Sequence, residues 1–129
     1  MIQKIILDTN FLLIPIEFKV DIFTEIERIC AFPYELCAVE KTITELEKIA
    51  RTQNRKTAMA AKIGASFLKV KEIHMLSMGD CTTVDDALLF WGKNGAIIAT
   101  QDKDLKRMLK SHRVRRIVLR KKSFLLLEG

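Results

Sequence analysis

Short apolar segments, separated by stretches with helical spacing, are the feature that most constrains the fold of this chain. The first segment, Ile2 to Leu7, is dominated by isoleucine and ends at Asp8. Apolar runs without polar alternation are typical of strands that are covered on both faces. Further strands are predicted at Leu36–Val39, Val70–Met75 and Ala96–Thr100, with a terminal strand or hairpin formed by Val114–Arg120 and Ser123–Leu127.

Helical patterns fill the intervals between these strands. Apolar residues recur at helical spacing from Val20 to Cys30, and Pro33 ends that segment. The predicted helices are Phe11–Ile16, which Pro15 limits, then Val20–Cys30, one from Thr42 onward, Lys56–Leu68, Thr82–Trp91 and Asp102–Leu109. Strands that alternate with helices imply crossover connections. The expected fold is a three-layer α/β/α sandwich with a central, mainly parallel sheet of four to five strands.

Length and composition narrow the class of protein. The 129 residues fit one domain, 1–129, and leave no room for a second core. No apolar run approaches the roughly 20 residues that a membrane-spanning helix requires. The three cysteines cannot all pair within one chain, which fits a reducing compartment. We therefore expect a cytoplasmic protein with no membrane partner.

Positive charge is concentrated near the C-terminal end. Ten of the twenty residues from Lys103 to Lys122 are basic, in a chain whose net charge is +6. Such a block favours a polyanion through counterion release, although a merely solubilising surface is the alternative. The residues predicted to bind RNA are Lys103, Lys106, Arg107, Lys110, Arg113, Arg115 and Arg116.

Carboxylates occur where predicted strands give way to helices. Asp8 closes the first strand, Asp85 and Asp86 open a helix, and Asp102 follows a later strand. Any one of them could simply be an N-cap, which contributes about 1 kcal/mol. Because the ends of parallel strands lie along one edge of a sheet, however, these acids are expected to meet and to repel one another unless a cation binds. Magnesium and manganese prefer such oxygen ligands, and either ion can activate water for phosphodiester hydrolysis.

Four segments of the sequence together resemble the motif series of the PIN-domain nucleases. They are Ile5-Ile6-Leu7-Asp8-Thr9-Asn10-Phe11-Leu12, Ile43-Thr44-Glu45-Leu46-Glu47-Lys48, Val84-Asp85-Asp86-Ala87-Leu88 and Ala99-Thr100-Gln101-Asp102-Lys103-Asp104-Leu105. Their order, spacing and element context agree with that family from the first predicted strand to the last clear helix. Within the family, they are most similar to archaeal and eukaryotic PIN proteins of ribosomal RNA processing.

The resemblance implies an endoribonuclease that acts in ribosomal or other RNA processing and uses one or two Mg²⁺ or Mn²⁺ ions. By position in the motifs, the catalytic and metal-binding acids would be Asp8, Glu45, Asp86 and Asp102. No member of this quartet is missing, so the resemblance implies an active enzyme.

Other motif positions have secondary roles. Asp85 and Asp104 match places where extra acids occur in the family, so they are second-tier metal ligands. Thr9 or Asn10 would orient Asp8 or the substrate phosphate, and capping of the next helix is the alternative for each.

Other functions remain open at this stage. The chain could be a non-catalytic RNA-binding or assembly subunit, or the toxin ribonuclease of a toxin-antitoxin pair. A phosphatase that forms an aspartyl-phosphate on Asp8 is disfavoured, because Asn10 stands where that class has a proton-transferring aspartate. Possible partners besides RNA are ribosome-assembly proteins, an antitoxin and a second copy of the chain, which could pack on apolar helices that include Phe23 and Phe67.

Overall fold

A six-stranded sheet forms the centre of the protein, whose computed structural model describes residues 2–129. The strands are β1 (Gln3–Leu7), β2 (Tyr34–Val39), β3 (His74–Leu76), β4 (Ile97–Ala99), β5 (Arg116–Arg120) and β6 (Phe124–Glu128). Their order is β3-β2-β1-β4-β5-β6, and only β6 runs antiparallel to its neighbour. The predicted α/β/α sandwich is confirmed. The sheet exceeds the predicted four to five strands because the terminal segments form a hairpin of two.

Six α-helices and one 3-10 turn connect the strands. The 3-10 turn spans Asn10–Leu13, and the helices are α1 (Ile14–Glu17), α2 (Ile22–Ile29), α3 (Lys41–Ala50), α4 (Arg55–Val70), α5 (Val84–Lys93) and α6 (Lys103–Ser111). Side chains that accept hydrogen bonds from first-turn backbone N–H groups fix the starts of α2, α4, α5 and α6. No helix in residues 2–129 has the length and apolarity that a bilayer crossing needs.

Two apolar cores lie on the two faces of the sheet. Ile5 and Leu7 point to the face covered by the first four helices, whereas Ile6 points to the face covered by α5 and α6. All three side chains are fully buried, as expected for a strand without polar alternation. The α6 helix contributes Leu105 and Leu109 to the second core, so its charged residues are left facing outward.

Two local predictions were wrong. The predicted strand Val70–Met75 is shifted, since α4 extends to Val70 and only His74–Leu76 pairs with β2. The predicted helix Phe11–Ile16 is a 3-10 turn followed by α1, and Pro15 lies in the first turn of α1 rather than limiting it. A proline is accommodated there because a first-turn residue needs no N–H partner within the helix.

The strand order determines where a ligand can bind. The chain proceeds outward from β1 to β2 and β3, then returns to place β4 on the other side of β1. The connections therefore diverge between β1 and β4, and in open α/β sheets the crevice that binds ligands lies at this switch point, at the carboxyl ends of the strands. A hydrogen bond of 2.9 Å from Asp8 N to Ala99 O joins the two strands at that edge.

Close packing of α4 against the 3-10 turn generates a stability prediction. A Cβ atom at Gly64 would lie 2.9 Å from the backbone oxygen of Leu12, which cannot move without shifting the turn that follows Asp8. We expect Gly64→Ala to lower the free energy of unfolding by about 1–3 kcal/mol, despite the better helix propensity of alanine. Urea denaturation measures this, with the exposed Ser66→Ala in the same helix as the control. Unchanged or increased stability of Gly64→Ala would contradict the packing.

Candidate active site

Asp8 is the most buried carboxylate at the carboxyl edge of the sheet. Asp8 is only 5% exposed, and both of its carboxylate oxygens accept hydrogen bonds. The backbone N–H of Thr9 donates to Oδ1 at 2.7 Å, and the hydroxyl of Thr100 donates to Oδ2 at 2.6 Å. The carboxylate of Asp8 is therefore held in one orientation.

Thr100 connects the first and last acids of the predicted quartet. Its fully buried hydroxyl donates to Asp8 and accepts a hydrogen bond of 3.1 Å from the backbone N–H of Asp102. Asp102 in turn caps α6, because its Oδ1 accepts from Leu105 N at 2.9 Å. Asp102 therefore acts as a helix cap, as the alternative interpretation expected, through one of its two carboxylate oxygens. Sequence reasoning did not identify Thr100, although a hydroxyl two residues before Asp102 at a strand end was an available signal.

Thr9 and Asn10 have separate roles. The Thr9 hydroxyl donates to Glu45 Oε1 at 2.6 Å, so Thr9 contacts both Asp8 and Glu45. The side-chain oxygen of Asn10 accepts from Gln101 N at 3.2 Å, which ties the loop after β1 to the loop after β4. Thr9 therefore orients two acids, whereas Asn10 holds the loops on either side of the crevice together.

Burial and like charges govern ionisation at the site. Burial raises the pKa of Asp8 from its ordinary value of 3.8 to about 6, and the negative charges of Asp85 and Glu45 add to the increase. The hydrogen bonds from Thr100 and Thr9 act in the opposite direction, since they stabilise the ionised form. Burial also raises the pKa of Asp85, followed by the negative charges of Asp102 and Glu45. The charges of Asp8, Glu45, Asp85 and Asp102 thus form one interacting group, and the negative charges of Asp86 and Asp104 also act on Asp85.

The two adjacent aspartates of α5 have different surroundings. Asp85 interacts with the acids of the crevice, whereas Asp86 borders a depression formed with Leu89, Phe90 and Lys93. The Asp86 backbone N–H donates to Thr83 Oγ1, which selects Thr83 as the cap of α5. The motif resemblance ranked Asp86 above Asp85, and that order stays a prediction; the negative charges of Asp102, Glu45, Asp86 and Asp104 all act on Asp85. The other second-tier acid, Asp104, is exposed and pairs with Arg107 at 3.2 Å.

The acid group fits a hard divalent cation by its chemistry. Its donors are carboxylate oxygens, and within residues 2–129 none of Asp8, Glu45, Asp85 and Asp102 forms an ion pair with a basic side chain. Over the same residues, no three acidic, histidine or cysteine side chains already stand close enough to hold one ion. Magnesium is commonly held by one or two carboxylates, with water completing its shell. The donor set therefore suits Mg²⁺ or Mn²⁺ with water ligands better than a closed protein cage.

The structure divides the predicted RNA-binding residues into two groups. Five of them lie around one depression beside α6, namely Lys103, Lys106, Arg107, Lys110 and Arg116. Arg113 and Arg115 lie apart from it: Arg113 occupies the turn after α6, and Arg115 donates to Gln3 Oε1 at 2.9 Å. Arg120, which was not predicted, belongs to the first group.

Comparisons with known proteins agree with the motif resemblance. The sequence matches the PIN-like domain family over residues 5–122, a range that includes all four motif segments. The ribonuclease VapC4 of Methanocaldococcus jannaschii is 28% identical over 123 residues, which are 94% of this chain and 93% of that protein. The structure of the PIN domain endonuclease Utp24 has a similar fold, with a TM-score of 0.76 and 21% identity, covering 97% of this chain and 90% of that one.

The raised pKa of Asp8 predicts that the free energy of unfolding of the metal-free protein depends on pH. Between about pH 4 and pH 6 the unfolded chain loses the Asp8 proton before the folded chain does, so the free energy of unfolding falls as pH rises through this window. The full loss is up to about 3 kcal/mol, since one pKa unit corresponds to about 1.4 kcal/mol. Asp8→Asn lacks this titration. Its stability relative to the parent protein should therefore increase between pH 4 and pH 7 in urea denaturation with EDTA. A constant or decreasing difference would contradict the burial of an unpaired carboxylate.

Proposed function

Because the chain belongs to the PIN-like domain family, we propose that it is a Mg²⁺- or Mn²⁺-dependent endoribonuclease that hydrolyses RNA phosphodiester bonds with water. The observation that carries the proposal is the buried Asp8 carboxylate, grouped with Glu45, Asp85 and Asp102 at the crevice between β1 and β4. The relative named as a ribonuclease supports RNA as the substrate.

The chain supplies a preorganised set of anionic ligands. Thr9 and Thr100 fix the Asp8 carboxylate, and Thr9 also fixes Glu45, so neither acid must reorient when substrate arrives. A bound divalent cation would lower the pKa of a water molecule and neutralise charge on the scissile phosphate. Without that cation, the clustered negative charges repel a phosphodiester. The same residues therefore make the proposed activity strictly metal-dependent.

Asp85 rather than Asp86 is the third acid in this proposal. The negative charges of Asp102 and Glu45 act on Asp85, which supports this choice, whereas the motif resemblance alone favours Asp86. Asp86 instead borders a depression that it shares with Leu89 and Lys93. We assign Asp86 a secondary role.

The phosphatase alternative loses further support. That chemistry needs a second proton-transferring group at the position of Asn10, and the Asn10 amide oxygen instead accepts a hydrogen bond from Gln101 N. A non-catalytic RNA-binding or assembly subunit differs from the proposal in one measurable respect. RNA binding would persist in Asp8→Asn and Asp102→Asn variants, and no metal would support cleavage by the parent protein.

The biological setting of the activity stays a prediction. RNA processing and toxin action would both use the same acid group, and they differ in whether expression of the protein alone arrests growth. A cytoplasmic location, a homodimer and assembly or antitoxin partners are proposed on the same footing. The Phe23 and Phe67 rings, 5.0 Å apart, border a surface depression that a second copy could cover.

Adjacent aspartates provide a matched test of the catalytic assignment. We expect Asp8→Asn to reduce Mn²⁺-dependent cleavage of single-stranded RNA by roughly 100-fold or more and Asp85→Asn by roughly 10- to 100-fold, because each removes charge from the metal-binding group. Asp86→Asn changes the same charge one residue away and should have little effect. Initial rates with a 5′-labelled oligonucleotide measure all three.

The controls separate true activity from contamination. All variants are purified identically, and Mn²⁺ and EDTA reactions are compared for each. Cleavage that survives Asp8→Asn would defeat the proposed function. A large loss in Asp86→Asn with normal Asp85→Asn would restore the order given by the motif resemblance.

A further inference from the structure

A groove lined by basic side chains runs beside α6 on the face of the sheet away from α4. Its outer wall consists of α6 residues, and its floor consists of β5 and β6 residues. We name it the basic groove, and it comprises Lys103, Lys106, Arg107, Lys110, Arg116 and Arg120, together with the single acid Glu128. The charge pattern indicates a site for an anion.

Arg116 shows that the groove is a built site rather than a collection of mobile surface charges. The residue is only 8% exposed, and its Nη1 donates to Val114 O at 2.9 Å. Its Nε lies 3.5 Å from Glu128 Oε1. Burial of a guanidinium is costly unless its N–H donors have partners. Arginine has five N–H donors, and Val114 and Glu128 contact only some of them. These two contacts hold the guanidinium in place beside the lysines of α6.

Glu128 indicates which chemical group the groove accommodates. One of its oxygens lies near Arg116, and the other contacts Arg120, so the carboxylate bridges two guanidinium groups. Carboxylate and phosphate present similar pairs of oxygens to arginine. An anionic group of this kind is thus already seated among the arginines, supplied by the chain itself.

Unpaired lysines extend the groove toward the acid group. Within residues 2–129, Lys103, Lys106 and Lys110 form no ion pair, although Arg107 pairs with Asp104. At 1.5 Å per residue, Lys103 and Lys110 are separated by about 10 Å along the α6 axis. A stacked strand advances about 3.4 Å per nucleotide, so the wall spans roughly three phosphates. Lys103 adjoins Asp102, which places one end of the groove at the crevice.

We propose that the basic groove binds the phosphate backbone of a single RNA strand on one side of the cleaved bond, and that Glu128 occupies a phosphate position until RNA displaces it. The inference rests on the proposed function only for the location of the cleaved bond. The groove itself recognises backbone charge and no base, so binding through it is independent of sequence. The displaced Glu128 carboxylate returns to solvent, which makes the chain its own weak competitor.

Paired lysine substitutions test the groove. Lys106→Gln with Lys110→Gln removes one half-buried and one exposed charge from its wall, and Lys62→Gln with Lys69→Gln removes two charges from α4 as the charge-matched control. Fluorescence anisotropy follows binding of a labelled 12-nucleotide single-stranded RNA in EDTA at 50–300 mM NaCl. The groove variant should have a salt slope shallower by about 1.4 and, at 0.1 M salt, roughly 10- to 25-fold weaker binding, since each phosphate contact contributes about 0.7 to the slope. The control should match the parent protein.

The Glu128→Gln variant tests the competition. Removal of this charge should tighten RNA binding by roughly fivefold at 0.1 M salt, because one further phosphate contact adds about 0.7 to the slope. Thermal unfolding by circular dichroism confirms that each variant is folded. Weaker binding by folded Glu128→Gln would overturn the competitive role of Glu128. Equal losses in the groove variant and the α4 control would overturn the groove.

Two further measurements identify the ligand of the groove and separate failure of this inference from failure of the proposed function. Polyglutamate serves as a probe for an acidic protein partner, and tighter groove-dependent binding of polyglutamate than of RNA would overturn the assignment to RNA. Binding is measured without metal, and cleavage is measured separately with Mn²⁺. If the groove variant binds RNA as tightly as the parent protein and the parent protein cleaves RNA, this inference alone is defeated. If the groove variant binds RNA more weakly but no metal supports RNA cleavage by the parent protein, the proposed function alone is defeated.

Discussion

The confined carboxylate of Asp8 is the interaction on which the rest of the site depends. It is removed from water at the end of β1, repelled by neighbouring acids, and held in place by hydrogen bonds from Thr9 and Thr100. A folded chain retains such a group at a cost to its own stability, because burial penalises the ionised form. In the proposed metal-dependent enzyme, a bound cation would offset this cost, so the strain that weakens the metal-free protein would favour the metal-bound one. Function and stability would then be coupled at one side chain.

Sequence periodicity predicted the layers of the fold because the spacing of apolar residues reflects which faces of an element are buried. Ile5, Ile6 and Leu7 leave no polar face, so the strand that contains them must be covered on both sides. Helix boundaries and the position of β3 were less certain, since Val70 suits a helix end and a strand start equally well. Strand order was out of reach of local patterns: it depends on how the crossovers pack, and it alone places β4 beside β1. The extra strand arose from the hairpin of β5 and β6, whose two short apolar segments read equally well as one strand or two.

In the candidate site, too, some features can be read from the local sequence and others depend on how the elements pack. Asp8 and Asp102 were singled out because strand ends can be located from the sequence, and Glu45, which lies within α3, was added by the motif resemblance; their catalytic roles stay predictions. The motif resemblance ranked Asp86 above Asp85, and this order stays a prediction, because two adjacent helix residues differ in the direction of their side chains, which depends on how α5 packs. Thr100 was missed because a buried threonine at a strand end reads as an ordinary β-branched residue until its hydroxyl is seen between two aspartates. The basic block was evident in the sequence, but its division between the groove and the distant Arg113 and Arg115 required the orientation of β5 against α6.

The central claim is that acids from separate parts of the chain share a divalent cation at the crevice. Anomalous diffraction from a crystal soaked in Mn²⁺ tests it most directly, because the ion is located without reference to activity. We expect anomalous density in direct contact with a carboxylate oxygen of Asp8 and bordered by Asp85, Glu45 or Asp102, and none there in an Asp8→Asn crystal. Density confined to other parts of the surface, or a fully loaded crystal with no ion beside Asp8, would contradict it.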